Sequence, residues 1–476
     1  MKADIGSAST DRNIALLGGF FLLTFAIMGL ALAYWTILRG RDLGTSQSNP
    51  RVVSAEAETI RGTITAADGT VLARTDPTTH DRHYMLPSLS NVIGYSSPQY
   101  GQADLEQTFD NYLAGRSTGN PIGEIRRQLL HEPQIGNNLQ LSIVPRVQQV
   151  ADTALGNRRG AVVVLRPTDG AVLAMVSKPY FDANQLTAQW SSLSQDSGRP
   201  LFNRASQAVY PPGSTFKLVT NAAALETGIA KPDSMYTCIN EWVIEGFHIS
   251  CENPQIPTTF NLLTALERSS NATYGRLAVQ LGAERFQTFA GQFGFGTRIP
   301  VDLPSTVSRV RQSEGPWSNA LLASSGFGQG EIQASPLQMA MVVDALANNG
   351  QMVEPYLVRS VTAPDGRLLY DRHTQPWRTA ISSQTANVSK QMMQSVVEKG
   401  SGSAARIPGV TVGGKTGTAQ VGGTALPHAW FVCFAPVDSP QAIVVVIAEN
   451  SGEGADVAAP IARIVLQAAL ATPEKP

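Results

Sequence analysis

Ser214 and Lys217 stand three residues apart in Tyr210-Pro211-Pro212-Gly213-Ser214-Thr215-Phe216-Lys217. The Pro-Pro-Gly turn opens into a helical pattern that runs to Gly228. Residues i and i+3 of a helix share a face, so an amine at Lys217 can approach the Ser214 hydroxyl without help from distant chain. The helix N-terminus also favours negative charge developing beside it. This is the chemistry of an activated serine nucleophile. Two further stretches carry related groups. Ser269-Ser270-Asn271 connects two helical patterns, and Val412-Gly413-Gly414-Lys415-Thr416-Gly417-Thr418-Ala419-Gln420 is a strand pattern whose three glycines let a ligand or another backbone approach closely. Each stretch alone has an ordinary structural explanation: a helix cap, a capped helix connection, and an edge strand blunted by a lysine.

The elements that must position these groups are legible in outline. With 476 residues the chain exceeds one core and predicts two soluble units, one large and one small. A net charge of -1, 15% charged residues and no arginine-rich block argue against a nucleic-acid partner, and 43% hydrophobic residues argue for a globular chain. The six histidines lack HExxH spacing and the three cysteines lack CxxC, so neither a metal site nor a cofactor is expected. Cys238 and Cys251 share one turn-rich segment and form either a disulfide or two free thiols, depending on compartment, whereas Cys433 reads as a buried small hydrophobe.

Ile14 to Leu38 contains no charged residue and is long enough to cross a bilayer. Ala31-Leu32-Ala33 resembles a signal cleavage site, but the apolar run continues past it and Tyr34-Trp35 suit a membrane interface, which favours an uncleaved anchor. Lys2 and Arg12 before the span balance Arg39 and Arg41 after it, so charge leaves the orientation open. The expected organisation is a tail at 1–13, the anchor at 14–38, a linker at 39–50, a small domain at 51–145 and a large domain at 146–472.

In the small domain, Ile60 to Ala73 predicts a hairpin turning at Ala67-Asp68-Gly69, and Ala103–Ala114 and Ile122–Leu130 are helical candidates. The large domain begins with a buried hairpin over Gly160–Ser177 and ends with strands Trp430–Ala435 and Ala442–Ala448. Helices are expected at Phe260–Arg268, Thr273–Leu281, Pro336–Ala347 and Val457–Ala471. Together these predict one antiparallel sheet closed by both chain ends, helices packed on it, and an all-helical insertion.

In this order, Ser-x-x-Lys, Ser-x-Asn and Lys-Thr-Gly form a motif set shared by serine β-lactamases and penicillin-binding proteins. The chain resembles a class B penicillin-binding protein, a membrane-anchored peptidoglycan D,D-transpeptidase. Further landmarks are Arg61-Gly62-x-Ile64 with Asp68-Gly69, the Tyr210-Pro211-Pro212-Gly213 lead-in, Gly326-Phe327-Gly328-Gln329-Gly330-Glu331, Pro336-Leu337-Gln338-Met339-Ala340, and Pro427-His428-Ala429-Trp430-Phe431. The resemblance departs at Ala66 and Ala67, where the family's first landmark has aspartate and arginine; this bears on subfamily and partner contacts in the small domain.

The resemblance implies an α+β protein: a single N-terminal transmembrane helix, a small mixed β-rich pedestal-like domain, and a β-lactamase-like transpeptidase domain of antiparallel sheet plus helices. It implies that Ser214 attacks the D-Ala-D-Ala bond of a stem peptide, Lys217 acts as general base, and Lys415 supplies a cation. Ser269 would pass the proton to the leaving D-alanine and Asn271 would hold the substrate amide. Thr416, Gly417 and Thr418 would bind the terminal carboxylate, with the Ser214 and Thr418 N–H groups receiving the oxyanion. An amine acceptor gives a cross-link and water gives a carboxypeptidase. β-Lactams are implied inhibitors, a SEDS-type glycosyltransferase an implied partner, and the outer face of the plasma membrane the implied location. Three alternatives remain: a class D-like β-lactamase, though Asn271 departs from that pattern; a β-lactam sensor, which needs more spans; and a non-catalytic scaffold, which would not need these side chains.

Overall fold

The computed structural model describes residues 5–35, 59–117, 134–251 and 258–472. It divides into two units. One contains the N-terminal helix Ile5–Ala33; the other contains the chain from Ile60 onward, apart from Ser97–Gly101. Arg12–Ala33 has a mean hydropathy of 2.3 and none of that apolar stretch is buried, so this helix is long and apolar enough to cross a membrane. The expected end of the span at Leu38 and the linker at 39–50 lie outside the described residues.

The second unit is organised by a five-stranded antiparallel sheet: β1 (Gly160–Leu165), β2 (Val172–Lys178), β3 (Gly413–Ala419), β4 (His428–Ala435) and β5 (Ala442–Ala448), in spatial order β3-β4-β5-β1-β2. The runs Val162-Val163-Val164 and Val444-Val445-Val446 fit a pleated surface covered on both faces, and every residue of β1 and β5 is buried. The helices Pro145–Leu155 and Ala459–Leu470 cover one face, where Val147, Ala151, Val465 and Leu466 pack with Val162, Val164, Val444 and Val446. Each such valine contributes about 1.5–3 kcal/mol on burial. The wholly buried helix Pro336–Ala347 packs on β1, β4 and β5, with the bounds expected from its sequence. The sheet is thus closed by chain segments more than two hundred residues apart, as the two apolar hairpins predict.

The insertion is not all-helical. Met235–Cys238 pairs with Thr258–Asn261, Glu241–Ile244 with Phe247–Ser250, and Gln351–Val353 with Pro376–Thr379. Period-two alternation and a Glu245-Gly246 turn with positive φ at both residues form the middle hairpin. Phe260, expected to start a helix, is a strand residue opposite Tyr236; the helix begins at Leu262, capped by Asn261 Oδ1 accepting from the Thr264 N–H at 2.9 Å. Cys238 and Cys251 are joined by a disulfide, with Cα atoms 5.8 Å apart, while Cys433 is a buried free thiol in β4.

A smaller six-stranded sheet holds the predicted hairpin, in which Ile64 opposes Ala73 and Thr65 opposes Val71. Asp68 Oδ1 accepts from the Thr70 N–H at 2.9 Å in the turn, and Gly69 has φ +86°. Asn138–Leu141 continues this sheet in parallel with Ile64–Thr65, and Val358–Thr362 and Leu368–Asp371 complete it from far along the chain. Below it, Arg61 and Arg82 enclose the buried Glu106 carboxylate at 2.7 and 2.8 Å. The helical candidate Ala103–Ala114 is two short helices, Asp104–Thr108 and Asp110–Leu113; the candidate Ile122–Leu130 lies outside the described residues.

Candidate active site

Ser214 lies in a 3-10 turn, Gly213–Phe216, that runs directly into the helix Lys217–Glu226. A 3-10 turn brings i and i+3 into register, which sets Lys217 one turn below Ser214. The turn is held from several sides. The Trp430 indole donates to the Pro211 carbonyl at 3.1 Å, Thr215 Oγ1 donates to the Pro212 carbonyl at 2.7 Å, and the Gly213 N–H donates to the Gly328 carbonyl at 3.0 Å. Gly213 has φ +53° and a Cβ there would meet the Thr418 carbonyl, so the lead-in glycine is what lets the turn lie on β3. The sequence landmarks around Gly328 and Trp430 are therefore the walls that hold Ser214.

Ser269 ends the helix Leu262–Glu267 in a left-handed conformation, φ +63°, and Ser270 caps the next helix, Asn271–Gln292, by accepting from the Thr273 N–H. A serine at a position that favours glycine costs about 1–3 kcal/mol, strain of a kind that clusters at functional sites. Its geometry brings three sequence-remote groups together. Lys217 Nζ donates to Ser269 Oγ at 3.0 Å, to Asn271 Oδ1 at 2.7 Å and to the Ser269 carbonyl. Lys415 Nζ donates to the same Ser269 Oγ at 2.9 Å and to the Thr416 carbonyl at 3.2 Å. Both lysines are fully buried.

Burial pushes Lys415 down to about 7. Both amines share one hydroxyl oxygen and are removed from water.

A cleft of about 420 Å³ opens over these groups, lined by Ser214, Ser269, Asn271, Thr416 and Thr418. β3 is an edge strand of its sheet, so its outer backbone groups are free to face a ligand. Gly417 admits Thr215 and Trp430 so closely that a Cβ would lie 2.8 Å from Thr215 Cγ2 and 2.9 Å from Trp430 Cβ. All the motif residues thus border one cleft or, as with Lys217, Lys415 and Gly417, support it from beneath.

Four polar residues of the cleft, Gln329, Ser401, Gln420 and Glu453, had no role assigned from the sequence, and two of them touch the motif threonines. Ser401 Oγ lies 2.9 Å from Thr416 Oγ1, and Glu453 accepts a hydrogen bond from Thr418 Oγ1. Both sit in short Gly-Ser or Gly-Glu turns, whose only sequence signal is that of a loop. A second cavity, of about 310 Å³, contains Ala67, Arg146 and Arg359 and none of the motif residues.

A serine at a helix start, with a buried lysine pair bridged by a second serine in a helix–sheet cleft, is equipped for acyl transfer through a serine ester. Residues 160–467 match the penicillin binding protein transpeptidase domain, and residues 61–139 match the penicillin binding protein A dimerisation domain. The chain is 34% identical to the peptidoglycan D,D-transpeptidase PbpA of Mycolicibacterium smegmatis, over 94% of this chain and 97% of that one. It also resembles the penicillin G acyl-enzyme complex of penicillin-binding protein A from M. tuberculosis, with a TM-score of 0.78 and 32% identity over 87% of this chain and 100% of that chain. For Pseudomonas aeruginosa PBP2 the TM-score is 0.74 and the identity 28%, over 87% of this chain and 96% of that chain. The chain belongs to the penicillin-binding protein transpeptidase family, among its class B members.

Proposed function

We propose that this protein is a peptidoglycan D,D-transpeptidase, inhibited by β-lactams, that works through a Ser214 acyl-enzyme. The observation that carries the reading is the Ser269 hydroxyl shared by Lys217 and Lys415 beside Ser214 in one cleft. In this mechanism neutral Lys217 takes the Ser214 proton as the hydroxyl attacks the carbonyl between the two D-alanines. The oxyanion rests on the N–H groups of Ser214 and Thr418, a type of contact worth about 2.7–4 kcal/mol. Ser269 relays the proton to the leaving D-alanine, and Asn271, which also anchors Lys217, holds the substrate amide. Thr416 and Thr418 bind the terminal carboxylate, Gly417 lets it approach the strand, and Lys415 adds charge. An amine then resolves the ester as a cross-link, and water resolves it as a carboxypeptidase side reaction.

The test is covalent labelling with a fluorescent penicillin. Ser214→Ala is expected to abolish labelling, and Lys217→Ala to slow it by about 10²–10⁴-fold. Labelling that persists in Ser214→Ala would remove Ser214 as the nucleophile, and rapid turnover of the drug would favour a β-lactamase.

The N-terminal helix serves as an uncleaved anchor that leaves the enzyme outside the plasma membrane. The Cys238–Cys251 disulfide supports this orientation, because such bonds persist in oxidising compartments. Residues 51–145 act as a pedestal and 146–472 as the transpeptidase domain. The anchor and pedestal contact a SEDS-type glycosyltransferase; co-purification that survives deletion of residues 1–50 and of the Ile60–Ala73 hairpin would count against those contacts.

A further inference from the structure

Glu453 is, among the described residues, the one carboxylate that lines the catalytic cleft. It is exposed, meets no cation among the described residues, and accepts the Thr418 hydroxyl hydrogen bond. Its position is built into the fold. Gly454 beside it lies so close to β3 and β4 that a Cβ would stand 2.3 Å from the Trp430 carbonyl and 2.4 Å from the Gly417 carbonyl. The Gly454 N–H also points at Thr418 Oγ1, at 3.5 Å. A negative charge is thus held on the hydroxyl assigned above to the donor's own carboxylate, which for donor binding alone is unfavourable.

The second half of the reaction removes the conflict. The attacking amine approaches the acyl carbonyl from the side that the leaving amine vacates, and the leaving D-alanine is held at Thr418. After it departs, Glu453 faces the space through which the acceptor arrives. We infer that Glu453 is the acceptor-selecting residue: it attracts an acceptor that arrives as an ammonium ion and, by reclaiming Thr418, disfavours return of the D-alanine carboxylate. This inference rests on the assignment of Thr418 to the donor carboxylate. In the transfer step the ammonium loses one proton to solvent. The neutral amine forms the C–N bond, its second surplus proton leaves through Lys217, and the C–O bond to Ser214 breaks with Ser214 regaining its hydroxyl proton.

The experiment measures partition of the acyl-enzyme formed from a thioester donor between aminolysis and hydrolysis. One acceptor is an amino-acid amide, cationic before attack, and the other is hydroxylamine, neutral at pH 7. In Glu453→Gln the aminolysis-to-hydrolysis ratio is expected to fall about five- to tenfold for the cation and to change less than twofold for hydroxylamine. Glu453→Asp is expected to recover most of the preference. Acylation by a carboxylate-bearing penicillin is expected to rise two- to threefold in Glu453→Gln, because Thr418 is freed. In the wild-type protein, raising the ionic strength from 0.05 to 0.5 M is expected to erode the preference for the cation. Equal losses for both acceptors, an unchanged ratio, or a wild-type preference indifferent to salt would overturn the inference. Slower penicillin acylation in Glu453→Gln would also overturn it, by assigning Glu453 to the donor half. Loss of labelling in Ser214→Ala is a separate result and tests only the nucleophile.

Discussion

Ser269 shows how much one side chain decides at this site. Its hydroxyl is the meeting point of two buried amines, and its carbonyl is a further acceptor for Lys217. Ser269→Ala is expected to lower penicillin acylation by at least tenfold while labelling remains at Ser214, which stopped-flow acylation checks. Lys415 gives a pH prediction. Burial lowers it from the usual lysine value to about 7, so between about pH 7 and 10.5 the folded site has lost a proton that the unfolded chain retains. Its contribution therefore makes stability rise with pH across that window, and a Lys415→Met protein is expected to lack this rise. On the proposed mechanism, a donor carboxylate brought beside Lys415 restores its proton. Binding near pH 8 is thus expected to take up a proton, visible as a buffer-dependent heat that Lys415→Met abolishes. Ser401→Ala removes the nearer of two partners of Thr416 Oγ1, the other being Lys415 Nζ at 3.4 Å, and is expected to weaken donor binding about two- to tenfold, the range of one neutral hydrogen bond.

At the scale of elements, the turn that carries Ser214 is a product of contacts among glycines. Gly328 has φ +79°, and a Cβ there would lie 1.9 Å from the Gly213 carbonyl, inside the turn that presents Ser214. Gly328→Ala is expected to cost at least about 1–3 kcal/mol, through backbone strain and displacement, and to slow acylation together with stability. Thermal melting read beside penicillin labelling tests the coupling. The hairpin Glu241–Ser250 has a different support. The disulfide closes its base, and Trp242 covers Gly275 of the helix that begins at Asn271. Opening that bond by Cys238→Ser is expected to cost about 3 kcal/mol by loop closure, measured by denaturant titration.

At the scale of the molecule, the two sheets are not independent lengths of chain. Val358–Thr362 and Leu368–Asp371 complete the small sheet beyond Asn138–Leu141, which would otherwise be an open edge. A fragment of residues 51–145 is therefore expected not to unfold cooperatively, which circular dichroism on melting would check. Within that sheet's support, burial opposes ionisation of Glu106, but Arg82 and Arg61 outweigh it and hold its carboxyl below the usual range. Its stabilisation is present above the unfolded carboxyl value, near 4.5, and lost as pH falls through the lower folded one. Glu106→Gln is expected to cost about 3–5 kcal/mol at neutral pH, because the buried Arg82 loses its carboxylate partner and Arg61 is left with Asp110.

The chain's own pattern sufficed for what local physics controls. The apolar N-terminal run, the valine-rich hairpins of the central sheet, the buried helix Pro336–Ala347 and the Ser-x-x-Lys turn follow from periodicity, turn chemistry and residue spacing. The ordered motifs, through the family resemblance they carry, pointed to residues that line one cleft or lie beneath it. Tertiary structure alone decided which of them share an atom. That Ser269 Oγ bridges Lys217 and Lys415, that Ser401 and Glu453 join the cleft, and that strands near 360 finish the small sheet are contacts across tens to hundreds of residues. Such contacts leave no local signal, because a loop serine or glutamate has the same propensities whether or not the fold closes a catalytic cleft over it.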